Sequence, residues 1–292
     1  MDTVTERSHA KLNLSLDVLS KREDGYHDLK TVMCSVEFGD DVSVSLRTDG
    51  ITVCRSNLSW LPGDSRNLAV KAVEAFFETL GEKNPGAEIA LTKRVPVGAG
   101  MAGGSSNAAA VLRALNALTG AGLSAEALRG IGLKVGSDVP YCVAGGNALA
   151  EGRGEILLAL PAVPECSAVI CKPAFSISTA DLFRRIDSHQ LRTHPDTTGL
   201  IAAMKAQDLQ GIARRMYNVF EDALTGSSRE ILSIRGELLD SGALGAVMTG
   251  TGSAVFGLFD DPEKAERAFS RFRGRYKDCC VTRIVSEPVM AE

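Results

Sequence analysis

Aromatic side chains are scarce in this 292-residue chain, 5% in all with a single Trp, and no excess of positive charge replaces them, since the net charge is −4. A chain so short of stacking rings and cations is not built to hold nucleic acid. The four histidines, His9, His27, His189 and His194, keep no metal-ligand spacing, so zinc is not expected and any protein ligand of a metal stays unknown. Cysteine is present but unpatterned: the seven residues are odd in number, form no C-x-x-C pair, and include the adjacent Cys279 and Cys280. Reduced thiols and a cytoplasmic protein are the expectation. No apolar run approaches the ~20 residues of a membrane span, and the polar Met1–Ala10 lacks the layout of a secretory signal. What remains is a 45% hydrophobic chain, long enough for two domains with their own cores.

The richest stretch runs from Pro96 to Ala110, Pro-Val-Gly-Ala-Gly-Met-Ala-Gly-Gly-Ser-Ser-Asn-Ala-Ala-Ala. It joins a glycine turn to a strong helix former, and that join makes an anion site. Glycines let the backbone approach a ligand, while the unpaired N–H groups of the helix start attract phosphate oxygens. A plain turn capped by Ser105 or Ser106 would not need four glycines in seven residues. Gly98-x-Gly100-x-x-Gly103 also matches the dinucleotide fingerprint, but the acid nearest the required distance, Glu126, lies in a helix start capped by Ser124. No Lys follows the glycines, which excludes a Walker loop.

Periodicity supplies the frame. Lys11 to Val18 alternates, with Leu12, Leu14, Leu16 and Val18 on one face and Lys11, Asn13, Ser15 and Asp17 on the other, which predicts a half-buried strand. Leu29–Phe38 and Asp41–Leu46 read as two more strands joined through Gly39-Asp40, Asn67–Leu80 as a helix closed by Gly81, and Ile89–Val95 as the strand entering the loop. A helix from Ser106 to Leu118 follows the loop. Prolines at 161, 164 and 173 mark a boundary near residue 160. Beyond it come a strand at Ala168–Lys172, helices at Thr179–Ile186, Asp208–Phe220 and Arg229–Ser241, strands at Ala246–Met248 and Ala254–Leu258, a helix at Glu263–Phe272 and a strand at Thr282–Val285, an α+β pattern.

Four other clusters carry polar chemistry: Gly136-Ser-Asp138-Val-Pro140, Lys11 with Asn13, Gly25-Tyr26-His27-Asp28, and Met248-Thr-Gly-Thr-Gly-Ser-Ala254. Asp138 could be a general base or a turn residue bonding its own backbone, and the last cluster a ligand loop or a simple hairpin. Considered together and in this order, they resemble the GHMP kinases. Pro96–Ser106 matches the central loop of that family and Thr249–Ser253 its late glycine motif. Ala10-Lys-Leu-Asn-Leu-Ser-Leu16, Lys21-Arg-x-Asp-Gly-Tyr-His-x-Leu29, Thr31-Val-Met33, Gly136-x-Asp-Val-Pro140 and Asn218-x-Phe-Glu221 are similar to the branch that acts on a cytidine diphosphate-linked methylerythritol in the non-mevalonate isoprenoid route.

The resemblance implies an α+β, two-domain GHMP fold, with an ATP-binding α/β domain in residues 1–160, a smaller ferredoxin-like domain in 161–292, and the active site in the cleft between them. It implies transfer of the γ-phosphoryl group of ATP, with Mg2+, to the 2-hydroxyl of that small-molecule alcohol, by a monomer or homodimer with no nucleic-acid or membrane partner. Asp138 would be the base, and Lys11 would keep it ionised and orient the hydroxyl. Pro96, Val97, Gly98, Ala99, Gly100, Met101, Ala102, Gly103, Gly104, Ser105 and Ser106 would wrap the ATP phosphates, with Asn67 near the adenine. Tyr26, His27 and Phe183 would clamp the cytosine, two rings stacking and His27 bonding its edge, while Asn13 and Thr179 contact the rest of the substrate. Met101 and Ala102 stand where the loop of that branch usually has Leu and Gly; Ala102 is expected to fit with a negative φ, and Ser106 is the one metal-ligand candidate. Two other readings stay open: a relative acting on mevalonate or homoserine, which offer no base to stack on, and a non-catalytic nucleotide sensor.

Overall fold

In a computed structural model of the chain, residues 2–188, 191, 193–285 and 287 are described, Ser227 by its backbone alone; His189 lies outside them. In chain order the elements are β1 (Thr3–Lys21), β2 (His27–Leu46), β3 (Val53–Ser56), α1 (Leu68–Leu80), β4 (Ala87–Thr92), α2 (Gly103–Thr119), α3 (Ala125–Val135), α4 (Val139–Ala144), β5 (Asn147–Gly152) and β6 (Ile156–Ala159). There follow β7 (Ser167–Lys172), α5 (Thr179–Ser188), α6 (Thr197–Lys205), α7 (Leu209–Ala213), β8 (Tyr217–Asn218), 3-10 turns at Val219–Ala223 and Gly226–Arg229, α8 (Glu230–Asp240), β9 (Gly245–Met248), β10 (Val255–Phe259), α9 (Pro262–Phe272) and β11 (Asp278–Arg283). β1 to β6 and β8 form one sheet; β11, β7, β10 and β9 form an antiparallel second. No helix among the described residues is long and apolar enough to cross a membrane.

The sheets and helices stack in layers. One face of the larger sheet packs on α1 to α4 through Val42, Val44, Ile89, Phe76, Val111 and Leu112. Its other face meets the smaller sheet, where Leu12, Leu14 and Val36 pack with Ile170, Phe256 and Leu258. β7 alternates accordingly, turning Val169 and Cys171 the other way into a third core with α8 and α9. Burial on this scale is the main stabilising term, about 1.5–3 kcal/mol for each large side chain enclosed.

Four expectations about elements need correction. The polar face of β1 is not solvated: Lys11, Asn13, Ser15 and Asp17 are all buried. The two strands expected around Gly39-Asp40 are one, β2, because the register jumps from His9↔Gly39 to Ala10↔Val36 and lets Glu37 and Phe38 bulge without ending the ladder. Glycine is required there, since a Cβ on Gly39 would stand 2.2 Å from the Ser8 carbonyl oxygen. The helix expected at Asp208–Phe220 stops at Ala213, because Asn218 donates to the Met248 and Gly250 carbonyls, both at 2.8 Å, and accepts from Phe220 N–H, which holds residues 217–218 extended beside β1. The final strand also begins earlier than read, at Asp278, because it pairs with β7 from Asp278↔Lys172 to Arg283↔Ser167.

The element that positions the glycine loop is a buried polar knot on β2. Asp40, fully buried, bonds the Lys93 ammonium through Oδ2 and accepts the N–H groups of Arg94 and Val95 on Oδ1 at 2.6 and 2.8 Å. Asn107, in the second turn of α2, donates to the same Oδ2 at 2.9 Å and to Ser8 Oγ at 2.8 Å, and accepts from Lys93 Nζ at 2.9 Å. The residues just before and just after the loop are thus tied to one carboxylate. Removing it would leave a buried ammonium without its counter-charge and two backbone donors without their acceptor. Asp40→Ala is expected to cost about 3–5 kcal/mol, read as a lower midpoint in chemical denaturation; a midpoint equal to the parent protein would show the knot to be dispensable.

Candidate active site

Between Val95 and α2 the chain turns through Gly98 (φ 67°) and Gly100 (φ 75°) and enters the helix at Ala102, whose φ is +55°. The negative φ expected of Ala102 is therefore corrected. A left-handed alanine costs about 1–2 kcal/mol, and the knot on Asp40 is what holds the turn against that cost. Neither Ser105 nor Ser106 caps the helix. Ala102 does so without a side-chain bond, and the N–H groups of Gly103, Gly104 and Ser105 have no intrahelical acceptor. The dipole of a 17-residue helix adds positive potential at the same point.

A second glycine turn locks onto the first. The β9–β10 hairpin carries Thr249 to Ala254, and Ala254 N–H donates to the Ala99 carbonyl at 3.1 Å while Thr249 Oγ1 donates to that of Gly100 at 3.3 Å. Contact is close enough to demand glycine, since a Cβ on Gly100 would lie 2.1 Å from the Thr249 carbonyl oxygen. The hairpin is held from behind: Glu221 accepts Met248 N–H at 2.6 Å and pairs with Arg235. Burial raises the Glu221 carboxyl above its ordinary range, opposed by those two donors.

Lys11 and Asn13 reach this junction from β1. The Lys11 ammonium donates to Asn13 Oδ1 at 2.5 Å, and the same oxygen accepts Gly250 N–H at 2.9 Å, while Asn13 Nδ2 donates to Thr31 Oγ1 at 2.8 Å. Burial lowers the Lys11 pKa, and the Asp138 charge opposes that shift. Asp138 is the N-cap residue of α4, with φ −84° and ψ −9°, yet its carboxylate makes no capping bond. It is left free for other partners at the edge of a cavity of about 1020 Å³ that Lys11, Asn13, the loop from Pro96 to Ser105, Thr179 and Asn67 also line.

Not every expected residue is available. Ser106 does not line the cavity; it is buried, accepting from Ser8 Oγ at 2.8 Å and donating to the Gly103 carbonyl. The Asn67 amide caps α1 through Ala69 N–H at 3.0 Å and donates to the Pro62 carbonyl at 2.9 Å. At the far end His27 stacks on Phe183, centroids 4.5 Å apart and planes 24° off parallel, and Phe183 meets Phe220 edge-on. Tyr26 is 54% exposed with the Arg153 guanidinium 5.0 Å from its ring centre, and Thr179 bonds Thr251 hydroxyl to hydroxyl at 2.9 Å. Asp187, Lys93, Asp40 and Asn107 were not singled out from the sequence. A signal existed only for Asp187, four residues after Phe183 on the same helix face.

Comparison with known proteins agrees with this geometry. Residues 67–146 match the model of the GHMP kinases N terminal domain, and residues 200–278 that of the GHMP kinases C terminal. The chain is 41% identical over 282 residues to a 4-diphosphocytidyl-2-C-methyl-D-erythritol kinase of Clostridium perfringens (strain SM101 / Type A), covering 96% of this chain and 98% of that one. It is 43% identical over 272 residues to the protein of that name in Syntrophomonas wolfei, covering 93% and 95%. A crystal structure of 4-(cytidine 5'-diphospho)-2C-methyl-D-erythritol kinase superposes with a TM-score of 0.80 at 30% identity, over 96% of this chain and 99% of that one. Alike in the order of its motifs, its two sheets and its sequence, the chain belongs to the GHMP kinases, in the group of the 4-diphosphocytidyl-2-C-methyl-D-erythritol kinases.

Proposed function

We propose that this chain transfers the γ-phosphoryl group of ATP to the 2-hydroxyl of 4-diphosphocytidyl-2-C-methyl-D-erythritol, giving the 2-phosphate and ADP, as a cytoplasmic step of non-mevalonate isoprenoid precursor synthesis. The observation that carries the reading is the convergence of Lys11, Asp138 and the open helix end of Gly103–Ser105 on one cavity, whose far end holds His27 and Phe183. We divide the labour near residue 160: the glycine loop before it takes the ATP phosphates, and α5 with the second glycine turn, after it, closes on the alcohol.

Asp138 takes the proton of the 2-hydroxyl as that oxygen attacks the γ-phosphorus; the bond to the bridging oxygen breaks and ADP leaves. Phosphoryl transfer through a loose transition state asks mainly for positioning and for charge to meet the equatorial oxygens, and the N–H groups of Gly103–Ser105 supply that charge. Lys11, fixed by Asn13, brings its ammonium to the same cavity as Asp138 and orients the hydroxyl. In this reading the base bonds the edge of His27 and stacks on Phe183, the ring that already lies against the imidazole. Tyr26 closes over the other side. Magnesium would reach the site with ATP, held mainly by phosphate oxygens and water, with Asp138 a carboxylate of the same cavity; no group of three His, Cys, Asp or Glu side chains placed to hold a metal exists among the described residues, and Ser106 is turned inward. When bound it offsets the charge of the β- and γ-phosphates.

The test is ADP release with Mg-ATP and the cytidylated alcohol, beside mevalonate and homoserine. Turnover on the cytidylated alcohol alone is expected, and Asp138→Ala is expected to lose about a thousandfold or more in kcat with ATP affinity changed only a few fold, because the base acts in the transition state. Collapse of ATP binding in that variant would make Asp138 structural. His27→Ala should raise KM for the cytidylated alcohol by about tenfold or more and leave KM for ATP near its parent value; an unchanged KM for the alcohol would rule the clamp out.

A further inference from the structure

Asp187 stands on α5 one helical turn beyond Phe183, and the two side chains hold the imidazole of His27 by its face and its edge. Asp187 Oδ1 lies 2.6 Å from His27 Nε2, and Oδ2 lies 2.5 Å from the Lys21 ammonium. An ionised carboxylate only accepts, so in this contact Nε2 carries the hydrogen. A neutral imidazole has one N–H, which leaves Nδ1 as a lone-pair acceptor. Stacking on Phe183 restrains the ring from turning over, which would carry each nitrogen to the place of a ring carbon.

We propose that Asp187 is a positioning residue that sets the tautomer of His27 and thereby makes the cavity choose cytosine over uracil. The inference rests on the cytidine reading of the pocket given above. Cytosine carries an exocyclic amino donor where uracil, like thymine, carries a carbonyl acceptor. A bare Nδ1 accepts from the amino group, but it meets the carbonyl lone pair to lone pair with no hydrogen between them. Sites built around one such bond reject the mismatched partner strongly, because a buried polar atom is left unpaired. Without Asp187 the ring is free to carry its hydrogen on either nitrogen. The Nδ1–H form would then donate to uracil, and the choice would be lost. Lys21 takes the other carboxylate oxygen, so removing it leaves the Nε2–H contact in place.

The test measures affinities of the full chain for CDP and UDP by calorimetry, in the parent protein, Asp187→Ala and Lys21→Ala, with 15N NMR of the His27 ring as an independent readout. The parent is expected to prefer CDP by about 100-fold or more and Asp187→Ala by less than about 10-fold, the loss for the cytidylated alcohol falling on KM more than on kcat. Lys21→Ala should keep the preference, and the parent spectrum should show hydrogen on Nε2, replaced by a mixture of both forms in Asp187→Ala. A parent ring protonated on Nδ1 alone, or an Asp187→Ala protein that still separates CDP from UDP as the parent does, overturns the inference. A parent protein that does not separate CDP from UDP overturns the cytidine reading itself, whatever the tautomer.

Discussion

The Asp40 carboxylate carries more of this architecture than any other single group. It sits fully buried at the bulge of β2, and its two oxygens take up the Lys93 ammonium, two successive backbone N–H groups and the Asn107 amide. Burying a carboxylate and an ammonium together is expensive, and an apolar pair of the same size could stabilise the fold as well or better. The geometry explains what an apolar pair could not do. Each bond is directional, and together they fix the end of β4 and the second turn of α2 against β1 and β2. The glycine loop spans those two anchors, so its shape is set at both ends before any ligand arrives. A left-handed alanine at 102 can persist in a loop so pinned.

On that base the cleft is assembled from both halves of the chain. The second glycine turn packs backbone against backbone on the first, which only residues without a Cβ permit at Gly100 and Gly250. Asn218 and Glu221, far from any ligand role, hold the turn in place by bonding Met248 and Gly250. Asn13 then bridges the turn to Lys11 and Thr31. The ammonium of Lys11 is therefore supported by residues from three separate stretches of sequence. Such over-determination suits a reaction in which catalysis is mostly placement, where a shift of 1 Å costs rate.

The cavity has two chemically distinct ends. Near α2 it presents N–H groups, a buried lysine and an uncapped aspartate; near α5 it presents stacked rings and an imidazole held by a carboxylate. A long substrate with a base at one end and an alcohol at the other suits that division. The cysteines take no part in it: all seven are free, five of them buried, and burial pushes the Cys54 thiol up to about 11 and the Cys166 thiol to about 12. The five buried ones act as small apolar packing groups.

Much of this was legible in the sequence, for a physical reason. The glycine loop, the cap at Ser124, the apolar alternation of β1 and the late glycine turn are local signals, written in backbone freedom and in periods of two and 3.6 residues. With the motif order they determined the family, the α+β class and many of the residues lining the cleft. The exposure of a polar face was not local. Lys11, Asn13, Ser15 and Asp17 read as solvated, yet the fold buries them, with Asn13 meeting Gly250 and Asp17 meeting His194 from distant parts of the chain. Asp40, Lys93 and Asn107 carry no mark in sequence, being 53 and 14 residues apart and joined only by folding. The same holds for Asn218, which overrode a helical pattern by bonding carbonyls about 30 residues away. Hydrogen-bond partners of buried polar groups are chosen by which surfaces meet, and one strand of sequence does not hold that information: the residues fixed what each segment could do, and the packing of two sheets decided which of those capacities face the cavity.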